Sequence, residues 1–202
     1  MGATDPRGLT TWKGVSAVSD PESVSPDPDA SFVRALRAGD LEALGHLYRR
    51  HGGPVRTLLL RVEPMLSPED AADLTHDTFL TFREGLDRYE HQGRLRSWLY
   101  GIAVRKAKAT RRRRWWRQKL RFGGGERAAG VSLHREDDEA RVDARRRIER
   151  LLAELPDAQR EVLVLNAIEG LSVQDTAAVL GVSENAVSTR LYRARKQLKE
   201  AP

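Results

Sequence analysis

The chain has 202 residues, 35 Lys and Arg against 29 Asp and Glu for a net charge of +6, no Cys and 40% hydrophobic residues, with a pI near 10.0. Without cysteine there is no disulfide framework, thiol nucleophile, zinc ribbon or iron–sulfur centre, and the five His (His46, His51, His76, His91, His134) are too scattered to hold a metal, so neither a metal nor any other cofactor is expected. The longest apolar runs are a few residues, against the roughly 20 that span a bilayer, and the N-terminus carries Asp5, Asp20 and Glu22 instead of a signal peptide's apolar centre, so a cytoplasmic protein without direct membrane insertion is expected.

Charge is partitioned along the chain. Residues 1–31 hold 2 basic and 5 acidic side chains, with Pro21, Pro26 and Pro28 among few apolar residues; such a segment buries too little to offset chain entropy and is predicted to be disordered. Residues 32–122 hold 20 basic and 10 acidic side chains and read as a first helical module. In it Leu41, Leu44, Leu47 and Tyr48 share a helix face, and Gly52-Gly53-Pro54 is expected to punctuate the pattern before Val55, Leu58, Leu59 and Val62. Ser67-Pro68-Glu69-Asp70 has the chemistry of a helix start: a capping hydroxyl, a proline in the first turn and two carboxylates at the positive end of the dipole. That helix is predicted to run to about Leu86, burying Ala71, Leu74, Thr78, Phe82 and Leu86 and pointing Asp73, Asp77 and Glu84 elsewhere. After a polar loop at 87–96, another helix is predicted from Ser97, with Trp98, Leu99, Ile102 and Ala103 as its apolar face.

Gly123-Gly124-Gly125 opens an acidic polar stretch, 123–142, with the composition of a flexible linker. The second module, 143–202, is predicted to begin with helices from about Asp143 to Leu155 and from Ala158 to Ile168. Ser172 then caps a short helix, Gly181 supplies a sharp turn, Ser183 caps the next helix, and small Ala177 lets the two approach closely, with Val182 and Val187 between them. That is a helix-turn-helix. No strand-like alternation is found, so the fold class is all-α: two small helical domains joined by a flexible linker.

In the last helix Val187, Leu191, Ala194 and Leu198 face inward, turning Asn185, Ser188, Thr189, Tyr192, Arg193 and Lys196 outward, where hydroxyls, amides and guanidiniums meet base edges in a major groove. Asn185, Ser188 and Thr189 are the base-reading candidates; Arg190, Arg193, Arg195 and Lys196 suit phosphates. Residues 105–121 carry 10 Lys and Arg and no acid, with Arg111-Arg112-Arg113-Arg114 beside Trp115-Trp116. A polyanion would relieve their mutual repulsion. The Trp pair either packs against the protein or stacks on unpaired bases. Asp73 and Asp77, one turn apart beside Leu80, form either a solvated face or a ridge for a basic protein partner. No catalytic constellation is present, so no enzyme is expected.

Asp73-Leu74-Thr75-His76-Asp77-Thr78-Phe79-Leu80, then Arg96-Ser97-Trp98-Leu99-Tyr100-Gly101-Ile102-Ala103, then Leu155-Pro156-Asp157-Ala158-Gln159-Arg160-Glu161-Val162, leading to Gly170-Leu171-Ser172 and Leu191-Tyr192-Arg193-Ala194-Arg195, resemble the extracytoplasmic-function (ECF) group of bacterial RNA polymerase sigma factors. The resemblance runs in order over 32–198, in both modules. It implies a dissociable initiation subunit whose first domain (sigma region 2-like) binds the polymerase clamp and opens the minus-10 promoter element, while its second (region 4-like) reads the minus-35 element. Core RNA polymerase and promoter DNA are the implied partners, together with an anti-sigma factor of the kind that holds most of the family inactive.

By position, the resemblance puts Asp73, His76, Asp77 and Leu80 on the clamp-docking helix. It puts Tyr89, His91, Gln92, Arg94 and Ser97 where a flipped base is captured, and Arg105, Lys106, Lys108, Arg111, Arg112 and Arg113 along the melting duplex. Asn185, Ser188, Thr189, Arg190, Tyr192, Arg193 and Lys196 fall on the minus-35 element, and acidic residues 136–139 are expected to thread into the polymerase channel. Trp98 reads as core. Three departures stand out: Val104-Arg105 where the family usually has Arg-Asn, Ala109 where it usually has Asp, and Ala186-Val187-Ser188-Thr189 for the common Thr-Val-Lys-Ser. They imply more phosphate grip and less amide readout at minus-10, and a shifted minus-35 preference. Two other classes compete. A free-standing helix-turn-helix regulator would bind its operator without polymerase, and a nucleic-acid enzyme would need acidic metal ligands beside the basic tract.

Overall fold

The apolar spacing of the first module closes into four helices: α1 (Ala30–Arg37), α2 (Glu42–Val62), α3 (Pro68–Glu84) and α4 (Leu95–Arg121). The second comprises α5 (Glu139–Glu154), α6 (Asp157–Leu163), α7 (Val173–Leu180) and α8 (Glu184–Glu200). The structure, a computed structural model, describes residues 29–90, 94–121 and 139–200, and contains no strand among them. Most of the segments expected as tail and linker lie outside the described residues, although α1 and α5 start at Ala30 and Glu139, slightly before the boundaries that composition suggests.

The predicted break at Gly52-Gly53-Pro54 does not occur. Helix α2 passes through all three residues and is 21 residues long. Pro54 removes a backbone donor at a cost of about 3 kcal/mol, but Ala43, Leu47, Val55, Leu58, Leu59 and Val62 form one buried stripe across it, and each large aliphatic side chain buried there contributes about 1.5–3 kcal/mol. Gly53 escapes the crowding that a side chain before proline meets in a helix, and a Cβ at Gly52 would meet the Tyr48 ring at 3.4 Å, an ordinary contact.

Helix α3 begins as its sequence dictates: the Ser67 hydroxyl accepts the Asp70 amide at 3.0 Å, with Pro68 in the first turn. It ends at Glu84, and Leu86–Arg88 tightens into a 3-10 turn that buries Leu86. Thr75 and Phe79 join its buried face, a wider stripe than the predicted one because α2 and α4 flank it on both sides. Tyr89 is drawn inside, 1% exposed, between the rings of Phe82 and Trp98 in edge-on contacts at 5.7 and 5.4 Å. Trp98 is core, as its sequence suggests, and α4 starts two residues before Ser97.

In the second module Ser172 caps α7 by accepting the Asp175 amide at 2.9 Å, Gly181 turns the chain at φ +68, and the Ser183 hydroxyl accepts the Ala186 amide at 3.2 Å. Ala177, Val187, Leu191 and Ala194 are buried where α8 packs against α6 and α7. The helix-turn-helix is therefore formed by the residues that announce it. Between α6 and α7 lies a π turn, Val164–Ile168, closed by the Glu169 amide donating to the Val164 carbonyl at 2.8 Å.

The two modules are in contact: α4 packs against α7, and α2 against α6 and the π turn. The pin is Arg160, 5% exposed. Its guanidinium donates to the carbonyls of Val62 (3.1 Å) at the end of α2 and Leu155 (2.9 Å) and Leu152 (3.4 Å) near the end of α5, and pairs with Asp157. One cation thus satisfies carbonyls that helix ends leave without partners, at the negative ends of two dipoles. Arg160→Ala should destabilise the chain by about 3 kcal/mol or more, read from urea unfolding; loss of under 1 kcal/mol would show the pin to be incidental.

Candidate nucleic-acid interface

Helix α4 sets the electrostatics because its cations outnumber the acids within reach on its own module. Where α4 meets the second module they find carboxylates. Arg111 pairs with Glu63 (3.1 Å), Glu161 (3.1 Å) and Asp157 (3.3 Å), and Lys108 takes the other Glu161 oxygen at 2.9 Å. Arg94, ahead of α4, reaches Asp175 at 3.4 Å. Glu63 is buried enough that its carboxyl is pushed above the usual carboxylate range, with Arg111 pulling it down by less.

Glu169, projected by the π turn, is the second node. Its side chain is 9% exposed and accepts from Arg61 at 2.9 Å and Arg96 at 3.0 Å, and the Tyr100 hydroxyl donates to it at 2.6 Å. Arg96 also donates to the Tyr100 oxygen at 3.1 Å and lies over the ring at 5.1 Å. Burial, and then the hydrogen bond to Glu169, push the Tyr100 phenol up to about 12. Arg96, Arg61, Tyr100, Glu169, Glu161, Asp175 and Arg160 escaped the sequence reading as site residues, because each finds its partner in the other module and no local spacing announces that.

The described residues among those expected at the melting element separate into three groups. Tyr89 is core, packed between Phe82 and Trp98, and presents no surface to a base, and Ser97 is also buried; His91 and Gln92 lie outside the described residues. Arg94, Lys106, Lys108 and Arg111 hold carboxylates, Lys106 through a long 3.9 Å contact to Asp77. Arg105 is half-buried and meets no carboxylate among the described residues, and burial pushes its guanidinium below the ordinary arginine value. Arg112 and Arg113 are exposed and likewise meet none among the described residues. Three of the guanidiniums expected at the melting element are thus open to an anion.

On α8, Asn185, Ser188, Thr189, Tyr192, Arg193 and Lys196 are all exposed, Tyr192 by 71%, and Arg190 is half-buried. Lys196 pairs with Glu200 at 3.9 Å. On α3, Asp73, His76 and Asp77 are exposed and Leu80 half-buried, and Tyr48 packs edge-on against His76 and Phe79. Leu80 is thus less open than a surface apolar anchor. Among the described residues no cluster of His, Asp and Glu has the make-up of a metal site, and no helix is long and apolar enough to cross a membrane.

Comparison with known proteins finds sigma-70 region 2 over residues 47–117 and sigma-70 region 4 over 145–198. The chain is 35% identical to the RNA polymerase sigma factor CnrH of Cupriavidus metallidurans over 180 residues, covering 85% of this chain and 93% of that one. It is 32% identical to the ECF RNA polymerase sigma factor SigM of Mycobacterium tuberculosis, covering 84% and 82%. Among solved structures, CnrH in complex with the cytosolic domain of CnrY matches with a TM-score of 0.62 at 28% identity, over 85% and 95% of the two chains. The sigma factor RpoE bound to the anti-sigma factor NepR from Bartonella quintana shares the fold, with a TM-score of 0.66 at 21% identity over 79% and 96%.

Tyr100 gives a direct readout of the Glu169 node. Its folded value lies above the ordinary 10.0, so the stability it contributes is fully present below pH 10 and lost as pH rises through about 12. Glu169→Ala should bring its ultraviolet titration down toward the ordinary tyrosine range and loosen the contact between modules by about 1–3 kcal/mol; an unchanged titration would place the node elsewhere.

Proposed function

The chain belongs to the ECF group of sigma-70 RNA polymerase sigma factors, and from that premise we propose which of its surfaces grip the polymerase and which read the promoter. A sigma factor binds core RNA polymerase, recognises the minus-35 and minus-10 elements and helps melt the duplex, and this chain carries both regions needed. It works as a non-enzymatic subunit in the cytoplasm, held at the nucleoid by polymerase. The domains are a tail at 1–31, a polymerase-binding and melting domain at 32–122, an acidic linker at 123–142 and a promoter-reading domain at 143–202.

The observation that carries the residue assignment is that one chain exposes a carboxylate ridge on α3 and a polar, cationic reading face on α8. Asp73, His76 and Asp77, with Leu80 at the edge, dock onto the clamp, where opposite charge steers assembly. Asn185, Ser188 and Thr189 read base edges near the start of α8, while Arg190, Tyr192, Arg193 and Lys196 fix its register on phosphates. At minus-10, Arg94, Arg105, Lys106, Lys108, Arg111, Arg112 and Arg113 bind the backbone, and the segment with His91 and Gln92, ahead of the buried Ser97, takes the flipped base, while Tyr89 stays in the core. An anti-sigma factor is a further partner, as for the relative CnrH, which is solved with the cytosolic domain of CnrY. The competing regulator is disfavoured because region 2 and region 4 both match.

Lys108 and Arg111 reach DNA only by exchanging Glu161 for phosphate, so promoter engagement opens the contact between the modules. Glu161→Gln removes one competitor and should strengthen binding of a minus-10 duplex by the chain assembled with core polymerase; weaker binding would show that Glu161 orients the two cations for DNA.

Asp73→Lys with Asp77→Lys should abolish capture by bacterial core polymerase and leave thermal unfolding unchanged, since both side chains are exposed. Asn185→Ala should cost the holoenzyme about 1–3 kcal/mol at one minus-35 position and little elsewhere. Retained capture by the reversed ridge, or specific binding to promoter DNA without polymerase, would overturn the assignment.

A further inference from the structure

Helix α4 outlasts its contacts. Among the described residues, the last on it with a hydrogen bond or ion pair to the rest of the first module is Arg114, which donates to the Met65 carbonyl and reaches Asp70 at 3.6 Å. Directly beyond, Trp115 and Trp116 are 52% and 50% exposed. Their rings meet edge to face, 4.8 Å apart at 79°, and the Lys119 ammonium sits 4.9 and 5.6 Å from the two ring centres. Helical spacing puts Arg112 one turn before the pair and Lys119 one turn after it. Arg112, Arg113 and Arg117 are exposed, and none meets a carboxylate among the described residues. The rings therefore do not join the core, one of the two alternatives left by the sequence, and no promoter role assigned above includes them.

This stripe has two unsatisfied demands. Two large aromatic faces stand in water, and the cations around them repel one another without counter-charge. A ligand that answers both brings flat apolar surfaces at the spacing of a dense anionic chain. A nucleic-acid strand with unpaired bases does so, because each base has a free face to stack and each linkage a phosphate. A duplex answers only the charge, since its bases already stack on one another. We propose that Arg112, Trp115, Trp116 and Lys119 form a stacking platform for unpaired nucleotides of a DNA strand. The platform deepens the reading of α4 as the promoter-facing helix and rests on it. It stands about 27 Å along the helix from Ser97, so it holds nucleotides other than the one captured at the helix start.

The test uses the full chain, alone and with core polymerase, and three probes: a short oligothymidylate, an abasic strand of equal length and charge, and a duplex of the same length. The parent chain should bind the oligothymidylate with quenching of indole emission and more tightly than the abasic strand. Trp115→Ala with Trp116→Ala should weaken oligothymidylate binding about tenfold to a hundredfold and abolish most of the quenching, with abasic-strand affinity and assembly with core unchanged. The double Phe variant should keep most of the affinity. The proposal fails if the abasic strand binds as tightly as the oligothymidylate, if the Ala variant binds like the parent, or if the duplex suffers the same loss. It also fails if the Ala variant loses core assembly while keeping its single-strand affinity, which would mark a protein-docking surface. Failure of the parent chain to assemble with core, with strand binding intact, would strike the sigma assignment and not the platform.

Discussion

A helix that concentrates positive charge needs counter-charge wherever it is packed against protein, and α4 obtains it from the other half of the chain. Glu161 and Asp157 on α6 and Glu169 just after the π turn converge on it, joined by Glu63 from the end of α2, while Asp175 on α7 takes Arg94 just ahead of it. Pairs between fully exposed groups contribute little, but Glu63, Glu161 and Glu169 are nearly inaccessible, 3%, 5% and 9% exposed at their side chains. Breaking one side of such a contact leaves a charge buried without a partner, which costs more than making it gains. The arrangement of the two modules follows from that asymmetry.

The same asymmetry sorts the surfaces by availability. The carboxylate ridge of α3 and the outer face of α8 stand clear of the seam, so under the proposed assignment polymerase and the minus-35 element would meet side chains already presented. On α4, Arg105, Arg112 and Arg113 are open, whereas Lys108 and Arg111 are engaged. Polymerase capture and upstream reading then need little rearrangement, and the melting face is the part that must give up internal contacts.

Local chemistry was fully legible. Ser67, Ser172, Ser183 and Gly181 each do what their residue type dictates within three or four positions, and from them follow α3, α7, α8 and the exposed reading face. Errors arose where tertiary burial outweighed a local signal. Gly52-Gly53-Pro54 reads as a break because the sequence does not reveal that both halves of α2 share one core. Tyr89 reads as a loop residue because nothing nearby shows that Phe82 and Trp98 will enclose it. The seam was the least legible, since Arg160 and Glu169 look like ordinary surface charges until the partner from a hundred residues away is in place.

The π turn between α6 and α7 has a consequence for chain length. One additional residue is accommodated in a single turn there, and Glu169 follows immediately. Were one position deleted from 164–168, the backbone could relax to ordinary α geometry, and everything after it would rotate by about 100°. The carboxylate that now answers Arg61, Arg96 and Tyr100 would swing away from them. Among related chains, the presence of that single inserted position therefore serves as a marker of whether the two halves can latch in this way, independent of whether the acid itself has been kept.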